Sequence, residues 1–306
     1  MGQSQYAISE KEVEQFVQTV FGIHAHAKKL PGETDLNYQL ETADGAFYLA
    51  KISRPETPLE YLDFQGALLN HLTKNQPTFV HPIPYRDTNG NYTPSLLDRE
   101  GNTWKVRLLS WIDGRPWSHV NPVTERLRYQ LGQYCGALTK ALQGFDHPAA
   151  HRAFEWDIAQ GAWTIPYLDL FPSGQKRILS YFQDRFTAQG ATYANLRKAI
   201  VHNDANDNNI IVSHNLQTPA IVSVVDYGDA IHTQIINDLA IACAYAVMHC
   251  NDPLSASLPL IKGYNESFPL MEGELGHLFD AIAMRLVISV TKSAINKQLN
   301  PENEYL

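Results

Sequence analysis

Cysteine is scarce. Cys135, Cys243 and Cys250 are the whole complement of 306 residues, with no C-x-x-C pair and no even framework. A disulfide scaffold is excluded, and buried thiols in a reducing compartment fit best. Basic residues are also outnumbered, 24 Lys and Arg against 32 Asp and Glu, for a formal charge of −8. That balance excludes a general nucleic-acid binder, which needs a basic stripe, but not a small anion held by a few local cations. No run approaches the roughly 20 apolar residues of a membrane span: "AIACAYAVM" is too short and "AIAMRLVISV" contains Arg285, so no membrane partner is expected. The opening "MGQSQYAISEKEVEQF" carries acids where a signal peptide has an apolar core. Tyr6 stands where a myristoylation pattern needs Ser or Thr, and a cytoplasmic chain is expected. There is no G-x-x-x-x-G-K-[ST] either, which removes the P-loop phosphotransferases.

What is there is ordinary globular material, 44% apolar and 18% charged, at a length that favours two lobes. Ser9 with Glu12 forms a capping-box pattern that opens a helix over "EKEVEQFVQTVFG", closed near Gly22. His24 and His26 alternate as outward strand residues. The segment "TDLNYQLETADGAFYLAKIS" alternates around "ADG" and predicts a β-hairpin. "LEYLDFQGALLNHLTK" has a helical period, and strands are predicted near 92–98 and 103–109. "WIDGRPW" at 111–117 breaks the periodicity. Beyond it helices are predicted at 123–143, 174–189, 234–249, 254–267 and 277–298, with "NIIVS" and "AIVSVV" the only clear strands. The expected fold class is α+β and bilobal: a small antiparallel β-sheet lobe over 1–110, a hinge at 111–116 and a larger, mainly helical lobe over 117–306.

Two acidic knots stand out in that second lobe, "VHNDANDNN" at 201–209 and "VVDYGD" at 224–229. Asp204, Asn206 and Asn208 match the first, third and fifth positions of an EF-hand loop. Asn209 then stands where that loop needs Gly, and Asn215 where it needs a bidentate Glu. A polar turn whose Asn and Asp side chains bond their own backbone is the plain alternative. The third reading is phosphoryl transfer. His202-x-Asp204, with Asn209 five residues on, fits the kinase loop H-x-D-x-x-x-x-N, in which a carboxylate accepts a hydroxyl proton and an amide oxygen holds magnesium. Asp226 follows on the next hairpin strand, before Tyr227 and Gly228, where D-F-G puts a second magnesium ligand. Lys51 in "FYLAKIS" has the strand context of the phosphate-binding lysine.

With these residues in place, "IVHNDANDNNIIV" resembles the "HGDxxxxN" loop of the aminoglycoside phosphotransferase family, protein-kinase-like enzymes that phosphorylate small molecules; Asn203 replaces the usual Gly. "VVDYGDAIHTQIINDLAIACAY" is similar to hydroxylysine kinases and to phosphotransferase domains fused to class III aminotransferases, with "GD" at Gly228–Asp229 and "DLA" at Asp238–Ala240. The resemblance implies a protein-kinase-like fold and transfer of the γ-phosphate of ATP or GTP, with Mg²⁺, to a hydroxyl of a small amine or amino acid. By position, Asp204 would be the catalytic base, Asn209 and Asp226 the metal ligands and Lys51 the phosphate contact. Thr34 and Asn37 would act from "LPGETDLNYQL", which stands in for a G-x-G-x-x-G loop. Ser110 and Ile112, in the hinge Leu109 to Gly114, would offer backbone groups to the nucleotide base. His202 would orient the loop, and Asp238 would tie the loop to the following helix. Glu60, Asp63 or Gln65 would partner Lys51, Gln65 being the aligned position.

For the substrate, Asp157, Asp207 and Asp229 are candidate amine contacts, with a structural role open for Asp229. Trp156 and Trp163 are candidate pocket walls. Arg285, a charge inside an apolar run, is either a contact for a substrate carboxylate or one half of an ion pair within the lobe. An antibiotic phosphotransferase and a nucleotide-binding module without turnover are the competing functions. The polar end "NPENEYL" falls where the family is expected to continue into a further helix.

Overall fold

Alternation decides which side of the first sheet carries chemistry. Strands β1 (Ala25–Leu30), β2 (Leu36–Thr42) and β3 (Phe47–Ser53) follow a helix, α1 (Glu10–Phe21). After α2 (Leu59–Asn75) come β4 (Pro84–Tyr85), β5 (Ser95–Leu97) and β6 (Thr103–Ser110). They pair antiparallel in the order β1-β2-β3-β6-β4, with β5 also on β6. Tyr38 and Leu40, Ala50 and Ile52, and Trp104, Val106 and Leu108 alternate onto one buried face. Helix α1 covers that face with Val13, Val17 and Phe21, one stripe at helical spacing. A 12-residue helix is marginal alone, and burying three such side chains at about 1.5–3 kcal/mol each fixes it here. The predicted capping box is present: the Ser9 hydroxyl accepts from the Glu12 amide, and Glu12 accepts from the Ser9 amide at 2.8 Å. Gly22 ends the helix at φ 71°. The opposite sheet face carries Asn37, Lys51 and Arg107, which are direct neighbours across β2, β3 and β6.

The chain divides into two compact units, Met1–Gln76 with His81–Asp113, and Pro77–Val80 with Gly114–Leu306. Residues 8–32, 34–75 and 77–299 are described in this computed structural model. The expectations for the first seven residues and for "NPENEYL" lie outside the described residues.

The second unit contains β7 (Arg115–Pro116), α3 (Glu125–Ala141), α4 (Ser173–Ala188), α5 (Gly190–Ala194), β8 (Lys198–Val201), β9 (Ile210–Val212), β10 (Ile221–Val224), β11 (Ile231–Gln234), α6 (Ile236–Ala246), α7 (Pro253–Ser267) and α8 (Glu272–Leu299). Helix α6 is buried along its whole length except at Tyr245 and forms the centre of the unit. Among the described residues no helix is long and apolar enough to cross a membrane. The expectation of only two clear strands here is corrected: β7, β8 and β11 are added. Each is two to four residues, too short for alternation to show in the sequence.

Helices α3 and α7 meet through glycines. A Cβ at Gly132 would collide with the Leu260 carbonyl, and one at Gly263 with the Tyr129 carbonyl. Gly132→Ala would gain about 1 kcal/mol of helix propensity. The clash is with backbone, which cannot rotate away, and overpacking costs about 3 kcal/mol. A net loss of stability in Gly132→Ala is expected, and thermal or urea unfolding checks it.

Two short ladders then position the loops. Strand β8 pairs with β11, and β9 with β10, so the segments 202–209 and 225–230 leave neighbouring strands at the same end. The Val225 amide donates to the Asn209 carbonyl at 2.9 Å and closes that end.

Candidate active site

His202 is buried, and its Nε2 faces the Val225 carbonyl at 3.1 Å. A carbonyl only accepts, so Nε2 carries the proton and Nδ1 is left to accept from the Asp204 amide at 3.2 Å. Burial pushes the imidazole down to about 4, and it is neutral at physiological pH. Asp238, in the first turn of α6, accepts from the Asn203 amide at 2.8 Å and the His202 amide at 3.3 Å. Burial raises this carboxyl to about 6, and the two amides oppose the shift. His202 and Asp238 therefore hold the loop, as the sequence suggested. Asn203 adopts φ 66°, a conformation that Gly takes freely and Asn tolerates better than most residues. Its side-chain amide is buried with neither atom hydrogen-bonded among the described residues.

Asp204 is gripped at both carboxylate oxygens. Oδ2 accepts from Asn209 Nδ2 at 2.7 Å and Asn206 Nδ2 at 2.9 Å; Oδ1 accepts from Arg285 Nη2 at 2.7 Å. Burial raises the Asp204 carboxyl above its ordinary range, aided by the nearby charges of Asp229 and Asp226 and opposed by Arg285 and the Asn206 bond. Asn206 also accepts from the amides of Asn208 and Asn209 at 2.9 and 3.0 Å. The plain turn reading is realised in Asn206, whose side-chain oxygen bonds the backbone of its own loop.

Asn209 donates its amide hydrogens to the Asp204 carboxylate and to the Asp204 carbonyl at 3.0 Å, and its Oδ1 takes no hydrogen bond among the described residues. Asp226 follows β10 at φ 65°, is exposed, and accepts from the Gly228 amide at 3.3 Å. An amide oxygen and a carboxylate are the hard donors that magnesium takes. Among the described residues no three His, Cys, Asp or Glu side chains cluster to hold an ion unaided. That donor set fits Mg²⁺, which is usually held by one or two protein oxygens with phosphate and water completing its shell.

Two substrate candidates are corrected. Asp157 is buried, and its oxygens accept from the Ala159 amide, Gln160 and Thr233 at 2.8–3.1 Å, capping a 3-10 helix over Ile158–Leu170. It ties that helix to β11 and is structural. Arg285 is buried behind Asp204 rather than presented to a pocket, so the ion-pair alternative is the one found. Its guanidinium lies over Trp156 at 4.8 Å. Trp163 donates to the Glu155 carbonyl at 2.8 Å. Asp207 and Asp229 are part-buried in the two loops.

In the first unit, Lys51 is nearly buried on β3, and Asp35 Oδ2 lies 3.7 Å from its Nζ. Asp35 also takes Arg107 Nη2 at 2.8 Å, and Arg107 bonds Ser53 at 3.1 Å and the Gln65 amide oxygen. The aligned Gln65 thus engages Arg107, and an acid near Lys51 comes from the loop before β2. Arg107 was missed, although it carried the signal that selected Arg285: a charge inside an apolar run, "KVRLL". Asn37 donates to the Pro31 carbonyl at 3.3 Å, and Thr34 is exposed. The Ser110 amide donates to the Ile83 carbonyl at 2.9 Å. The Ile112 backbone is not bonded among the described residues.

The sequence profile of the phosphotransferase enzyme family matches residues 26–259. The hydroxylysine kinase of Bos taurus is 27% identical over 332 residues, covering 97% of this chain and 85% of its own length. That of Mus musculus is 26% identical over 329 residues with the same coverage. Among solved structures, an amicoumacin kinase in complex with AMP-PNP, Ca²⁺ and Ami aligns at TM-score 0.71 and 17% identity, over 94% of this chain and 87% of its own. A microcompartment-associated aminopropanol kinase aligns at TM-score 0.68 and 16% identity, over 93% of each chain. The expected bilobal, kinase-like α+β fold is the one these proteins share.

Proposed function

The chain belongs to the phosphotransferase enzyme family and is a kinase of a small hydroxyl-bearing molecule; on that premise we propose that it transfers the γ-phosphoryl group of ATP or GTP to an amine or amino acid of the hydroxylysine or amino-alcohol type, with Asp204 as base. One observation carries the reading: a part-exposed carboxylate held at both oxygens by Asn206, Asn209 and Arg285, beside the Asn209 amide oxygen and the Asp226 carboxylate.

Asp204 takes the proton from the acceptor hydroxyl as its oxygen bonds the γ-phosphorus, and the bond from that phosphorus to the β-phosphate oxygen breaks. Its raised proton affinity suits that task better than an ordinary carboxylate would. Asn209 and Asp226 would hold Mg²⁺, which supplies neutralisation of phosphate charge when bound. Lys51, with Arg107 beside it on the same sheet face, orients the phosphates. Ile112 offers free backbone to the nucleotide base, and Asp229 offers a carboxylate to the substrate amine. In this reading 1–110 is the nucleotide lobe, 111–116 the hinge and 117–306 the lobe of the acceptor. The unpaired cysteines fit a cytoplasmic setting.

A nucleotide-consumption screen tests the reading, with Mg²⁺, ATP or GTP, and hydroxylysine, amino alcohols or aminoglycosides as acceptors. Acceptor-dependent consumption with hydroxylysine or an amino alcohol is expected. Turnover with aminoglycosides alone, or nucleotide binding without turnover on any of them, would sink it.

A further inference from the structure

We propose that Arg285 is a positioning residue for Asp204 and that the acceptor is recognised without it. The proposal rests on the reading of Asp204 as the base. Arg285 reaches Asp204 from α8, with Nη2 2.7 Å from Oδ1 and Nη1 3.2 Å from the Trp156 carbonyl. Its guanidinium lies over the rings of Trp156 and Tyr245, 4.8 and 5.6 Å from their centroids. The Arg285 side chain is 2% exposed and that of Asp204 17%, so an acceptor meets the carboxylate first and the guanidinium stands behind it. A carboxylate on the acceptor could reach Arg285 only by displacing Asp204.

The arrangement has a mechanical reason. Asn206 and Asn209 both grip Oδ2, and a carboxylate held at one oxygen still turns, because its last torsion is broad and two-fold. Arg285 fixes the second oxygen. Among the described residues no other positive group of this unit bonds the carboxylate: His202 offers its ring nitrogen as an acceptor, and Asp226 and Asp229 bring like charge. Asn206 and Asn209 are neutral amides. The cation that the loop lacks is supplied by a helix 81 residues further on.

The test compares two acceptors that differ in one group, hydroxylysine and its decarboxylated hydroxy-diamine, in Arg285→Lys and Arg285→Met with ATP and Mg²⁺. Thermal melts run beside the kinetics. A kcat lower by about 10²-fold for both acceptors alike, with acceptor and nucleotide KM unchanged, is expected for Arg285→Met, as for a catalytic group displaced by about 1 Å. Arg285→Lys should recover part of the loss. If Arg285→Met does not fold, Arg285→Lys decides alone: a kcat loss equal for both acceptors supports positioning. A loss seen only with hydroxylysine, and in KM, would make Arg285 a substrate contact and overturn the proposal. So would wild-type kcat in a folded Arg285→Lys together with wild-type kcat in Arg285→Met. A wild-type protein that turns over neither acceptor would overturn the functional reading and this proposal with it. If wild type turns over both, the functional reading stands and the two variants alone decide the role of Arg285.

Discussion

Asp204→Asn should slow phosphoryl transfer by about 10²–10⁴-fold, roughly 3–5 kcal/mol of barrier, while nucleotide still binds. An amide cannot take the hydroxyl proton, and that loss alone accounts for the rate. The substitution also disturbs its surroundings. Asp204 receives donors from Arg285, Asn206 and Asn209, and an asparagine at 204 would turn its own NH₂ against one of them. Arg285, buried to 1% exposure, would lose its charge partner. Removing one half of a buried ion pair costs about 3–5 kcal/mol of stability, the same size as the expected barrier effect. Rates must therefore be read below the variant's own melting range, beside a binding isotherm for the nucleotide. A folded variant that binds nucleotide and turns over at the wild-type rate removes Asp204 from the base role.

Local patterns transferred well from sequence to structure. The capping box at Ser9 and the glycine stop at Gly22 are set by a few adjacent residues, and both are as read. The hairpin of β2 and β3 follows from alternation on either side of "ADG". The geometry of the 202–209 loop is local for the same reason, because His202, Asp204 and Asn209 bond one another or their immediate neighbours. The bond from Val225 back to Asn209 then brings the Asp226 segment alongside.

What failed to show depends on long-range partners. Asp157 looked like a free acid, yet its partners Thr233 and Asn237 lie 76 and 80 residues on. Arg285 was correctly singled out as a charge inside an apolar run, but no spacing rule could connect it with Asp204. Arg107 and Asp35 are 72 residues apart and meet because β2, β3 and β6 align Asn37, Lys51 and Arg107 in one row. Register carries that information, and register is set by the assembled sheet.

Asp226→Ala should abolish magnesium-dependent nucleotide binding and leave the second unit folded. Asp226 is exposed, and replacing an exposed side chain costs little stability beside the loss expected at Asp204. One backbone effect remains. Asp226 sits at φ 65°, where alanine is less comfortable than Asp or Asn. Asp226→Asn is therefore the cleaner variant: it keeps the side-chain oxygen that accepts from the Gly228 amide and removes only the charge. Changing groups that merely support metal ligands costs 10–100-fold in metal affinity, so a direct ligand should cost more than about 100-fold. Calorimetric titration with ATP, with and without Mg²⁺, reads this directly. Wild type should gain affinity on adding the ion, and Asp226→Asn should gain little. Unaltered Mg-nucleotide affinity in both variants would remove Asp226 from the metal site and leave Asn209 as its only protein ligand among the residues assigned here, too few to hold an ion in place through a reaction cycle.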